Sequence, residues 1–363
     1  MKQILKKITA KLGYQTSKKQ ILFLSDDWGS VRLKSFETRE ILRKKGINVD
    51  ANRFDRYDCL ESNKDLELLF EVLVKHKDYL GNPACVTAVT NVANPDFEAI
   101  KANDFKHYVF EKNTDSYKRY PTSDRVFDLT MQGIKEKLFI PLSHAREHVQ
   151  INWWMAELQN PDSMARKVFE DEFFFLSQPN LIRKDLKGLG ASLNAIDAQD
   201  FESAKKITAS ALELFEEVYG YKSIYFCPPA TYHPKDIQPV LRQYGVSWLD
   251  VPRIQQLPRL HKKDQKRFRF LGQKSAYGFR YFVRNVVFES NMSQYDNGVD
   301  SCLKGIQQAF DCKQPAIISN HRASFVGGIE EQNREKGLKA LDDLLSQILK
   351  KWPDVEFITI TDL

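Results

Sequence analysis

Strand-length apolar runs alternate with helical stretches along nearly the whole chain. That alternation constrains the fold more than any single motif. Runs rich in Ile, Leu, Val and Phe occupy 20–25, 84–90, 138–143, 191–196, 223–227, 246–249, 316–319 and 356–360. Between them apolar residues recur at helical spacing over 35–45, 64–75, 124–137, 200–219, 235–244, 299–310 and 329–350. The third helix is expected to start at Asp124, a suitable N-cap. Strands separated by helices imply βα units and a parallel sheet, either open or closed into a barrel. Polar motifs follow the C-terminal ends of several of these strands, and in a barrel those ends converge on one face. The expected fold is therefore a parallel (β/α) barrel rather than an open sheet, in one domain over 20–363.

Two stretches exceed a minimal barrel. One is 149–190, with Trp153, Trp154 and Phe173-Phe174-Phe175; the other is 253–296, dense in Arg and Lys. Both are expected as insertions over the barrel mouth. Residues 253–284 hold ten Lys or Arg interleaved with aromatics, a pattern that also suits nucleic acid. The plainer expectation is a solvated, partly packed insertion with no nucleic-acid partner. An acidic glycan or lipid-linked phosphate fits it better than RNA.

The net charge of +6 is mild. Residues 1–19 form a basic lead-in with Ile4, Leu5, Ile8 and Leu12 at helical spacing. A short lead-in helix is expected there, with weak peripheral membrane contact as the sharper alternative. This segment lacks the apolar core of a signal peptide, so a cytoplasmic location is expected. Five cysteines, odd in number and without a CxxC, fit reduced thiols.

Four motifs carry the chemistry. Ser25-Asp26-Asp27-Trp28-Gly29-Ser30 leaves the first strand with two adjacent carboxylates. Neighbours on a strand point to opposite sides, so one can ligate a metal while the other takes a proton; both also fit a plain helix cap. His144 and His148 lie four residues apart after the strand at 138–143, a spacing that can bring two imidazoles to one face. A carboxylate with two histidines is a common catalytic zinc set with a position open for water. Phe226-Cys227-Pro228-Pro229, with Tyr232 nearby, is a stiff turn able to aim a backbone N–H at an oxyanion, or an ordinary strand terminator. His321, after the strand at 316–319, suits a general acid. Asp250 ends the strand at 246–249, where it can orient a histidine or arginine.

In this order the motifs resemble those of the polysaccharide deacetylase superfamily, the chitin and peptidoglycan deacetylases, whose catalytic domain is a distorted (β/α) barrel, expected here with about seven parallel strands. The resemblance implies Asp26 as catalytic base, with Asp27, His144 and His148 as ligands of a divalent metal, expected to be zinc. It implies His321 as catalytic acid and Asp250 as a further catalytic-site carboxylate. Trp28, Pro229, Tyr232 and Arg322 are the expected substrate-binding residues. Cys227 stands where the family has the arginine that steadies the catalytic aspartate; Arg32, Arg146, Arg253 and Arg322 are the candidates to replace it. The implied activity is metal-dependent removal of an N-acetyl or O-acetyl group from a sugar or polysaccharide precursor. A glycoside hydrolase on the same barrel and a non-catalytic carbohydrate-binding relative are the alternatives.

Overall fold

The computed structural model describes residues 12–176, 182, 188–292 and 297–363. Most of the expected lead-in helix and its membrane contact, and parts of both expected insertions, lie outside the described residues. In chain order the strands are β1 (Lys19–Trp28), β2 (Val86–Thr90), β3 (Ala93–Pro95), β4 (Phe110–Lys112), β5 (Phe139–Ser143), β6 (Tyr225–Phe226), β7 (Trp248–Asp250), β8 (Ile254–Arg259), β9 (Lys262–Phe268), β10 (Arg280–Phe282), β11 (Val286–Val287), β12 (Ala316–His321) and β13 (Val355–Phe357).

Nine strands form one sheet in the order β10-β7-β6-β5-β2-β1-β12-β11, with β13 on the start of β1. Every pairing in it is parallel. The two ends of that order, β10 and β11, are consecutive pieces of one stretch separated by 283–285. The first piece pairs with β7 and the second with β12. The sheet therefore curls until one kinked strand joins its edges, the distorted parallel barrel expected from the sequence.

The period-two alternation of strand side chains decides what faces the lumen. Ile21 and Phe23 of β1 pack outward against the helices Asn63–Lys75, Val299–Asp311 and Glu331–Lys351. Leu22 and Leu24 point inward, with Val89, Leu142, Tyr225, Trp248, Phe282 and Ile317. These fill the lower lumen with apolar side chains, each contributing roughly 1.5–3 kcal/mol on full burial. The same parity carried up the strands brings Asp26, Cys227, Asp250, Arg284, Ser319 and His321 to the inner side, near the C-terminal ends. The lumen is thus an apolar plug below and a polar layer above.

The helices begin where their sequences cap them. Ser35 accepts from the Thr38 N–H ahead of Phe36–Lys44, and Ser62 makes a reciprocal capping box with Asp65 ahead of Asn63–Lys75. Three expectations need correction. The third helix runs Val126–Lys135, and Asp124 instead accepts from the Asn63 side chain. The run 191–196 is an irregular stretch, its Asn194 carbonyl bonded by the Gln150 side chain. The stretch 253–296 is only partly an insertion, because β10 and β11 within it complete the barrel. Its inserted part is the antiparallel β8–β9 hairpin. No helix among the described residues is long and apolar enough to cross a membrane.

Candidate metal centre and active site

The polar layer starts at an irregularity in β1. Pairing with β2 shifts register between Ser25 and Trp28, and Asp27 takes a φ of 76°. A bulge of this kind re-aims side chains. Asp26 keeps its inward parity, while Asp27 turns to the loop after β5. Left-handed backbone costs a non-glycine residue roughly 1–2 kcal/mol, and Gly29, two residues on and itself at a φ of 78°, lets the chain turn closely here. A Cβ on Gly29 would lie 2.3 Å from the Asn91 carbonyl.

His144 and His148 lie on that loop, which is not helical; Ala145 between them has a φ of 61°. The loop is pinned by the His144 N–H to the Thr90 carbonyl and by the Val92 and Ala93 N–H groups to the Arg146 carbonyl. The Nε2 atoms of His144 and His148 lie 3.3 and 3.4 Å from Asp27 Oδ1. One ligand atom from each of the three residues falls within 4.8 Å of the others, all buried. His144 Nδ1 donates to the Cys227 carbonyl at 2.9 Å, which leaves the Nε2 lone pair facing Asp27.

Electrostatics fit a cation at this point. Burial drives the His148 imidazole down to about 3, so it stays neutral, as a ligand must. Burial pushes the Asp27 carboxyl up, but Arg32 and the two histidines outweigh it and hold it well below the usual range. Arg32 donates to Asp27 Oδ2 at 3.3 Å and packs 3.5 Å over the Phe175 ring, which also lies against His148. One carboxylate and two imidazoles are thus gathered in a buried cluster, a donor set that could hold a metal ion.

Beside this triad stands Arg284, which sequence reasoning missed. Its guanidinium grips Asp26 through two bonds of 2.8 and 2.9 Å. It also donates to Asp250 at 2.7 Å, Ser319 at 3.1 Å and the Tyr225 hydroxyl at 3.1 Å. Its Nη2 lies 3.5 Å from Cys227 Sγ, so an arginine from the kinked strand occupies the space beside the position where the motif arginine was expected. None of the four arginines considered from the sequence reaches Asp26. Arg322 is fully buried against Asp58 and Glu61, Arg146 pairs with Glu147, and Arg32 bridges Asp27 and Asp58. Arg253 lies at the root of the hairpin. Asp250 does orient an arginine, Arg284.

His321 comes from the end of β12. Its Nε2 lies 3.8 Å from Asp26, and its Nδ1 lies 2.5 Å from Glu289, a second missed residue. Glu289 is itself held by Arg53 at 2.8 Å and the Ser324 hydroxyl at 3.0 Å. Burial lowers the His321 basicity, but Glu289 and then Asp26 raise it further, so the net shift is upward. Only a residue sequence that folds β11 beside β12 brings Glu289 here; no local spacing marks it.

Two expected substrate-binding residues are elsewhere. Trp28 is buried edge-on against Phe139, 4.8 Å between rings, and belongs to the core. Arg322 is enclosed by its two carboxylates and offers no face to a ligand. Pro229 and Tyr232 do lie in the loop beside Cys227, with the Tyr232 hydroxyl donating to Asp264 of the hairpin. Trp153 and Trp154 are buried in an aromatic cluster with Phe97, Phe105, Phe169 and Phe174. The cysteines among the described residues are free thiols. A cavity of about 660 Å³ lies at the opposite end, lined by residues such as Lys18, Cys85, Tyr221 and Ile360; it contains none of these chemical groups.

No family model and no curated protein matches the chain. Among solved structures it is similar to a Parabacteroides distasonis protein assigned to the glycoside hydrolase/deacetylase class, with TM-score 0.50 and 7% identity over 96% of this chain and 71% of that one. It is also similar to a Pseudomonas aeruginosa protein assigned as a polysaccharide deacetylase, with TM-score 0.44 and 11% identity over 95% and 90% of the two chains. A third is a Thermococcus litoralis 4-alpha-glucanotransferase, with TM-score 0.44 and 10% identity over 95% of this chain; this chain spans only 40% of that protein's length. At such identities a likeness establishes architecture alone. The chain has the deacetylase/glycoside hydrolase barrel fold, in a divergent form.

Proposed function

We propose that the protein is a metal-dependent deacetylase acting on an N-acetylated or O-acetylated carbohydrate. The observation that carries this reading is the pairing of two adjacent carboxylates with different partners: Asp27 with two imidazoles, Asp26 with an arginine and a histidine. Asp27, His144 and His148 would hold a divalent ion, with zinc favoured by the donor set. Such an ion supplies positive charge that acidifies water and polarises a carbonyl.

The residues around it divide the remaining work. Asp26, kept in place by Arg284, accepts a proton from the attacking water. The new C–O bond forms at the acetyl carbon, and charge develops on its oxygen. After the stiff turn at Pro228-Pro229, the backbone N–H of Ala230 would be the donor to that oxygen, since the Thr231 and Tyr232 N–H groups bond the Pro228 and Pro229 carbonyls. His321, its Nδ1 anchored on Glu289, presents Nε2 to the leaving nitrogen or oxygen and protonates it as the bond to the acetyl carbon breaks. The products are acetate and the free amine or hydroxyl. Asp26 Oδ2 and His321 Nε2 are 3.8 Å apart, which supports giving the two residues complementary base and acid roles.

The decisive experiment is acetate release from a panel of acetylated oligosaccharides by purified protein of measured metal content, before and after chelation. Release that disappears with the metal and returns on adding zinc supports the reading. Cleavage of the sugar chain that persists without metal would instead favour a glycosidase using Asp26 with another carboxylate.

A further inference from the structure

The β8–β9 hairpin is a feature that this chemistry leaves unexplained. Of the seventeen residues 253–269, seven are Lys or Arg and only Asp264 is acidic. This one hairpin therefore carries as much net charge as the whole chain, +6, and the remainder of the protein is balanced. The balance elsewhere is visible in pairs: Lys19 with Asp354, Lys64 with Glu331, Lys101 with Glu170 and Arg125 with Glu67. Among the described residues no ion pair is formed by Lys262, Lys263, Lys266 or Arg267, all of them exposed. Unneutralised like charges held on one short ribbon repel each other, and an anionic partner relieves that repulsion.

The hairpin is firmly footed at the active site. It begins three residues after Asp250, on the barrel face that carries the catalytic layer. Gln255 bonds the buried His233 at 2.9 Å and accepts from Arg269 at 2.8 Å. Asp264, its only acid, accepts from Tyr232. Both Tyr232 and His233 belong to the loop that starts at Cys227, whose carbonyl orients His144. On its free side, Ile254 and Phe268 are cross-strand partners left 61% and 46% exposed, with Lys266 two residues from Phe268. A seven-residue strand extends roughly 20 Å, the length of several sugar units. An exposed aromatic beside ammonium groups suits a sugar ring that bears a carboxylate.

We propose that this hairpin is a docking arm for an acidic polysaccharide, which it holds across the barrel mouth so that a substituted sugar reaches the polar layer. The occupant is a glycan carrying uronic-acid-type carboxylates. The inference rests on the carbohydrate reading of the site and narrows its substrate class to anionic chains.

The test compares wild type with the variant Lys262→Glu/Lys263→Glu/Lys266→Glu/Arg267→Glu in binding a fluorescent oligogalacturonate, with a neutral maltooligosaccharide as control. Wild type should bind the anionic chain at about 50 mM salt and lose about tenfold in affinity by about 200 mM, as screening predicts. The variant should bind about tenfold or more weakly at the lower salt, while its melting temperature and its acetate release from a short neutral substrate stay unchanged. Equal affinity of variant and wild type for the oligogalacturonate overturns the proposal. So does tighter, hairpin-dependent binding to duplex DNA or to phosphatidylglycerol vesicles. Asp27→Ala separates this idea from the deacetylase reading: oligogalacturonate binding should survive while acetate release is lost. If no form of the protein releases acetate and the salt-dependent, hairpin-dependent binding persists, the deacetylase reading fails and the docking arm stands.

Discussion

Replacing Arg284 with methionine removes the guanidinium that Asp26 and Asp250 share. Those carboxylates are 6% and 2% exposed, and three of the five side-chain oxygen contacts of the guanidinium go to them. Breaking a buried pair while leaving its charges in place costs about 3–5 kcal/mol, and here two charges are orphaned together. The expected loss is at the upper end of that range, partly relieved by proton uptake. Burial already pushes the Asp250 carboxyl up, and the variant removes the Arg284 charge that opposes it, so its folded-state pKa rises further above the unfolded value. The folded state then binds more protons than the unfolded one, so stability falls as pH rises above roughly 4. Urea unfolding at several pH values measures this directly: the deficit against wild type should be largest near neutrality and shrink towards pH 4. Adding Asp250→Asn to Arg284→Met should recover part of the stability, because one orphan charge is gone, but no acetate release, because Asp26 is still unsupported. An Arg284→Met deficit below about 1 kcal/mol, or one independent of pH, would refute the claim that this arginine neutralises the layer.

Three further outcomes follow from the site. Asp27→Ala or His148→Ala should abolish stoichiometric metal in elemental analysis of the purified protein; full occupancy in both would remove the proposed ligand set. Glu289→Gln should lower the His321 pKa, since Glu289 is the largest upward influence on it. An acid works only while protonated, so the alkaline limb of kcat/KM should move to lower pH, and an unmoved limb counts against His321 as the acid. Arg322→Met should cost about 3–5 kcal/mol by leaving Glu61 without its cation and Asp58 with Arg32 alone, yet leave KM for a short substrate within about twofold of wild type in the folded fraction; a large KM rise with normal stability would restore its expected role in substrate binding.

The legible parts of this protein were those written locally. Alternating β and α patterns revealed the parallel sheet, and the polar motifs at its strand ends favoured closing it into a barrel; that Asp26 keeps the inward parity of Leu22 and Leu24 came from the structure. The adjacent carboxylates and the four-residue histidine spacing marked the centre, because each motif is a contiguous string at a strand end. Trp28 and Arg322 misled for the opposite reason: an aromatic and a cation beside a motif look available until packing shows what covers them.

The amino-acid order by itself determined the layers, the strand ends and the identity of the groups that could meet there. Only the tertiary structure decided which of them do meet. Asp27 and His144 are 117 residues apart in the chain, and Asp26 and Arg284 are 258 apart. Arg284 and Glu289 sit on a strand whose paired pieces are three and two residues long, too short to show a period and embedded in a basic stretch. The physical reason is closure: a barrel whose closing strand must pair with both edges places its kink over the lumen, and the residue at that kink neutralises the acids gathered there.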